Sequence, residues 1–192
     1  MFVIIKTNSL SIKFAMKYIY LFLIAVLFTS CAGSGAVTST IKKDAITGEE
    51  SLVTSEVALQ NSMTENIGTN LILLSGMKLK NARVLVFDMR RVGTTNVSGY
   101  IDANDLVQIK TSDDEVYELK AIKSVTPSYT VGNYGVTTWN IRAVYEVPED
   151  TFNKLLSSQV TLIRVNISEG FLDSPISEKY APRFKEVLTQ LK

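Results

Sequence analysis

The 192-residue chain contains no histidine and a single cysteine, Cys31. Ser-His-Asp and Cys-His catalysis therefore lack their usual base, zinc lacks its commonest nitrogen ligand, and no intrachain disulfide can form. Carboxylate or lysine chemistry, or an all-oxygen cation site, is what remains. Asp102, Asn104, Asp105 and Asp113 imitate the spacing of a calcium loop. Leu106 and Val107, however, stand where an oxygen ligand and the turn glycine belong, and the flanks read as strands. Asp113, Asp114 and Glu115 are consecutive at a predicted hairpin tip, where their carboxylates diverge into water and no burial raises a pKa. No metal, cofactor or catalytic residue is expected from either group.

The ligand candidates are aromatic. Tyr129, Tyr134 and Trp139, with Arg142 nearby, surround a predicted loop from which indole and phenol faces can stack on a sugar or a peptide. The competing reading turns Trp139 into the core beside Ile141 and lays Tyr129 over a sheet edge. Lys78, Lys80, Arg83, Arg90 and Arg91 form a basic group around an apolar run. Such a group suits anionic lipid or cell-wall polymer, although lysines on an exposed strand also guard an edge against pairing.

The remaining reactive position is Cys31 itself. It closes the stretch Met16 to Cys31, MKYIYLFLIAVLFTSC, in which Lys17 gives a positive start, Tyr18 to Phe28 an apolar run, and Thr29-Ser30 small residues before the cysteine. That is the layout of a secretory signal. The run is about a dozen residues, against roughly 20 for a helix crossing a bilayer. The stretch resembles a bacterial lipoprotein signal, with Phe28 standing where that pattern usually has leucine. The resemblance covers this segment alone. It implies that Cys31 is lipidated, palmitate-type chains included, and becomes the mature N-terminus. Ala32 is not the aspartate that retains such proteins at the inner membrane, and the AGSGA run lacks an acidic export cluster. The implied place is the periplasmic face of an outer membrane.

Residues 1–30 are thus expected to be a signal peptide, with translation starting at Met16, 31–50 a flexible tether, and 51–192 one globular domain. Loss of residues 1–30 removes Lys6, Lys13 and Lys17 and no acidic residue, which takes the net charge from +1 to −2. Nucleic acid is a poor partner for that balance.

The elements that must position the candidates are mostly strands. Ser51 to Gln60, with Leu52, Val53, Val57 and Leu59, holds a first strand, Leu71–Leu74 and Met77–Leu79 two pieces broken at Ser75-Gly76, and Arg83–Met89 a strand apolar on both faces and hence central. Leu106–Lys110 and Val116–Ile122 make a hairpin. A second turns at Val131 to Gly135, where glycines and Asn133 suit a tight reversal. Its outgoing strand, Thr137–Val147, puts Trp139, Ile141, Ala143, Tyr145 and Val147 on one face. Pro148 opens a short helix over 149–157, Val160–Ile167 is a strand, and Phe184, Val187, Leu188 and Leu191 mark a C-terminal amphipathic helix. The fold class expected is α+β, a mainly antiparallel sheet with late helices; a β-sandwich with helical additions is the alternative. The carboxy-terminal order of strand, helix, strand and helix resembles uncharacterised envelope lipoproteins, with no named family. The function expected is a membrane-anchored, non-enzymatic accessory or binding domain, partnered by the membrane through Cys31 and by an envelope protein or cell-wall glycan. The alternative is a glycan- or peptide-binding module built on the aromatic loop.

Overall fold

Strand-forming residues recur from Ser39 onward, and connections of hairpin length make neighbouring strands antiparallel. The computed structural model describes residues 36–45, 48–64, 68–80, 82–93, 99–131 and 136–192, so Cys31 and Tyr134 lie outside the described residues. In chain order the strands are β1 (Ser39–Lys43), β2 (Glu50–Thr54), β3 (Val57–Thr64), β4 (Gly68–Lys78), β5 (Arg83–Gly93), β6 (Leu106–Thr111), β7 (Val116–Lys120), β8 (Ser128–Val131) and β9 (Thr137–Glu146). Helix α1 (Glu149–Ser157), β10 (Val160–Ile167), β11 (Gly170–Pro175) and helix α2 (Ala181–Gln190) complete them.

The larger sheet has the order β1-β2-β4-β5-β9-β8, with β3 also on β4, and the smaller one β11-β10-β6-β7. All of these pairings are antiparallel. The expected α+β class holds, with its strands in two sheets. The sheets meet where the chain leaves β7: Ala121 bridges Tyr145, and the Ile122 N–H donates to the Val144 carbonyl at 2.9 Å. One continuous core lies between them, built from Leu85, Phe87 and Met89 of β5, Ile141, Ala143 and Tyr145 of β9, and Val107, Ile109, Ile163 and Val165 of the smaller sheet. Phe87 and Tyr145 meet edge to face with centroids 5.7 Å apart.

As its two apolar faces require, β5 is flanked by β4 and β9, and Val84 to Met89 are all buried. The break expected at Ser75-Gly76 is absent, since β4 runs through both residues. Gly76 weakens a strand by itself, but here a Cβ would overlap the side chain of Leu191 and crowd that of Val187. The missing side chain is what lets α2 lie close on β4. Phe184, Val187, Leu188 and Leu191 are all buried there, and each contributes about 1.5–3 kcal/mol by leaving water. Two cations meet the end of this helix, where orphan carbonyls favour positive charge. Arg83 Nε donates to the Leu191 carbonyl at 3.0 Å, and Lys78 Nζ to the Lys192 oxygen at 2.6 Å.

The compact unit opens at Val37, ahead of the start expected at 51. Val37 belongs to the core, and β1, which lies inside what reads as tether, pairs with β2. All five residues of β1 are exposed, so the strand carries no alternation by which a sequence reading could find it. Two further differences are local. Ser55 and Glu56 divide the first expected strand into β2 and β3, and β11 has no counterpart in the reading. Its sequence, GFLDSP, is dominated by strand breakers, and as a sheet edge it tolerates them. Among the described residues no helix is long and apolar enough to cross a membrane.

Candidate functional site

The register between β8, β9 and β5 decides which candidates meet. Tyr129 is opposite Trp139, and Trp139 is opposite Arg91. Directly opposed residues on neighbouring strands project to the same face, so these three form one row across the larger sheet. The row lies on the core side, continuing the line of Met89 and Ile141 to the end of the sandwich. Trp139 is 3 % exposed, in keeping with the core reading of its indole, whereas Tyr129 is 47 % exposed. Tyr134 lies outside the described residues.

Arg142 does not join them. It follows Ile141 on β9 and therefore faces the other way, where Nη1 reaches Glu56 Oε1 at 2.8 Å and Asp88 Oδ2 at 3.7 Å. Arg90 grips the same Asp88 with both arms, Nε to Oδ1 at 3.0 Å and Nη2 to Oδ2 at 2.9 Å. Asp88 is only 3 % exposed, and a buried carboxylate needs such partners. Two arginines and two carboxylates thus balance on the outer face. This is a charge-balanced network on the opposite face from Trp139.

The basic group also disperses. Lys78 and Arg83 cap the end of α2, with Arg83 further paired to Glu149 and stacked over Phe152 at 4.3 Å. Arg90 is committed to Asp88. Arg91, one residue later, turns inward to Trp139, and no carboxylate pairs with it among the described residues.

Arg91 and Trp139 line a cleft of about 240 Å³ between the larger sheet and β11. Ile72, Met89 and Leu172 supply apolar wall, and Asp173 and Ser174 polar rim. The Asp173 carboxylate is already held by Arg164, at 2.6 and 2.7 Å. The Arg164 guanidinium holds the Asp173 carboxyl below the usual carboxylate range. Trp139 Nε1 and Arg91 Nε are both buried without a hydrogen-bond partner among the described residues. A donor left so costs about 1–3 kcal/mol, and two side by side in one cleft are unusual. Sequence reading chose Arg142 for its nearness to Trp139 along the chain. Alternation alone separates the two, since an even offset would have been needed, and the cross-strand partner Arg91 is visible only once the register is known.

The acidic candidates behave as turns. Asp105 accepts from the Asp102 N–H at 2.7 Å, and Ser124 Oγ donates to Asp102 at 3.3 Å, closing the loop around Asn104, whose φ is 74°. Asp114, φ 64°, pairs with Lys110 at 2.8 Å, which lowers its pKa. Among the described residues no three His, Cys, Asp or Glu side chains gather to hold a metal. Tyr145 leaves its hydroxyl unpartnered in the core among the described residues, and burial, with the charge of Asp105, raises its pKa. Compared with family models, curated proteins and solved structures, the chain finds no match.

Proposed function

We propose that this chain is a lipid-anchored envelope protein whose folded domain is a non-enzymatic accessory or binding module. The observation that carries the reading is the stretch Met16 to Cys31, with its charge, short apolar run and small residues before the one cysteine. A single acyl chain holds a protein only marginally, at about 0.8 kcal/mol per buried methylene, whereas two or three chains hold it stably. Cys31 would therefore carry a diacyl group on sulfur and an acyl group on its new α-amine. Because the compact unit opens at Val37, the connector after such an anchor is short. The absence of histidine and of any spare thiol supports a binding rather than a catalytic role. Outer membrane, periplasmic face, is the location the AGSGA run favours. An envelope protein or cell-wall glycan would be the partner.

Labelling cells with a palmitate analogue and fractionating the membranes tests the anchor. Label on the wild type, absent from Cys31→Ser, is the expected result. Unlabelled wild type, or label retained in Cys31→Ser, removes the reading. A second reading, glycan or peptide binding at the aromatic loop, draws support from Tyr129 and Trp139 sharing one row of the sheet. It loses support for Arg142, which the outer-face network occupies.

A further inference from the structure

The cleft between the larger sheet and β11 holds two buried donors that meet no acceptor among the described residues. Arg91 brings a guanidinium with no carboxylate partner among the described residues, and its Nε and the indole Nε1 of Trp139 are both withheld from water and unpaired among them. The one carboxylate on the wall, Asp173, is engaged by two hydrogen bonds from Arg164, and Arg90, also on the wall, is engaged by Asp88. A guanidinium beside a second N–H donor recognises an anion with planar oxygens, and charge-assisted bonds of this kind are about twice as strong as neutral ones.

The rest of the wall sets the size and character of what carries that anion. Ile72, Met89, Leu172 and the indole ring are apolar, so a bare inorganic anion would leave them unused. At about 240 Å³ the space falls just below the range of about 300–1,000 Å³ found for drug-sized ligands. It suits a leucine-sized group with its carboxylate. We infer that this cleft is a binding site for a carboxylate borne on a small apolar group, the chemistry shared by the C-terminal residue of a peptide and a short-chain free acid. Arg91 and Trp139 Nε1 hold the oxygens; Ile72, Met89 and Leu172 hold the apolar part. The inference rests on the binding-module reading and is independent of the anchor.

The chain has one tryptophan, and it is in this cleft, so its fluorescence reports on the site directly. The full-length protein in detergent is titrated with acetyl-Ala-Ala-Leu, with the same peptide amidated at its C-terminus, and with hexanoate. A saturable emission change with the free-acid peptide, at least about tenfold weaker for the amide, is the expected result. Hexanoate binding as tightly as the peptide identifies a free acid as the source of the carboxylate; weaker binding identifies a peptide end. Arg91→Gln should weaken the acids about tenfold or more, with Arg91→Lys recovering part. Trp139→Phe, followed by calorimetry, should weaken them about three- to tenfold by removing the indole donor. No saturable change in the wild type, equal affinity for acid and amide, or unaltered affinity in a folded Arg91→Gln would each overturn the inference. A failed titration of palmitate-labelled protein removes the cleft and leaves the anchor; binding by unlabelled protein does the reverse.

Discussion

Arg90 and Arg91 are consecutive on β5 and meet opposite fates. Arg90 faces outward into a balanced network in which Asp88 accepts from it twice and Arg142 and Glu56 complete the charge. Arg91 faces inward to Trp139, and there a pair of donors is buried without acceptors among the described residues. The same strand pair, β5 and β9, builds both places. Strand alternation separates them, and the count of satisfied groups distinguishes structure from site. A closed network has already met its electrostatic needs internally, whereas an open one gains only when something binds.

The comparison can be broken most forcefully on its inner side. Trp139→Ala should destabilise by about 3–5 kcal/mol in chemical denaturation, because a large ring leaves a cavity. Trp139→Phe, which keeps most of the packing, should cost much less. An Ala variant as stable as wild type would mean that the indole does not pack into the core. Next is Asp88→Ala on the outer face, expected to cost about 2–3 kcal/mol by stranding Arg90 and Arg142 beside a buried position. Since Arg90 is half-exposed, water relieves part of the loss, and the value should lie below that of a fully buried pair. No loss would show that the outer network is not holding the sheet.

A smaller effect is expected at the cleft rim. The Arg164 guanidinium lowers the Asp173 carboxyl pKa in the folded chain, chiefly by hydrogen bonding. The stability this lends is complete above the unfolded value of about 4 and disappears as pH falls through the lowered folded value. Both side chains are about a third exposed, at 37 % each, so screening keeps the contribution below about 1 kcal/mol. Asp173→Asn should therefore lie slightly below wild type near neutrality and converge with it in acid. Equal melting profiles across the range would count against a stabilising pair. The smallest change is expected from Arg91→Gln, within about 0.5 kcal/mol of wild type, because no partner is lost with the guanidinium.

These contrasts also explain what could be read from sequence. The alternation of Trp139, Ile141, Ala143 and Tyr145 identifies β9 and its buried face without any structure, as the double apolar face of Val84 to Met89 identifies the central strand. The helix stripes are equally legible. By contrast, β1 is exposed throughout and β11 is rich in breakers, so neither has a pattern to detect. The passage of β4 through Gly76 depends on α2, more than a hundred positions later in the chain. Of the site, Tyr129 and Trp139 were legible by type, and Arg91 was visible only as one member of a basic run. Its partnership with Trp139 is a fact of register. Cross-strand register is fixed by the whole sheet, which is why local spacing favoured Arg142.

The claim that the inner row is a binding site is tested most directly at the indole N–H itself. With one tryptophan in the chain, a proton–nitrogen spectrum contains a single indole cross-peak, belonging to Trp139. Adding acetyl-Ala-Ala-Leu with a free carboxylate should move that peak downfield as the N–H gains an acceptor, and Arg91→Gln should displace the movement to about tenfold higher peptide concentration or beyond. An indole peak unmoved at saturating ligand, or moved equally by the amidated peptide, would contradict the account.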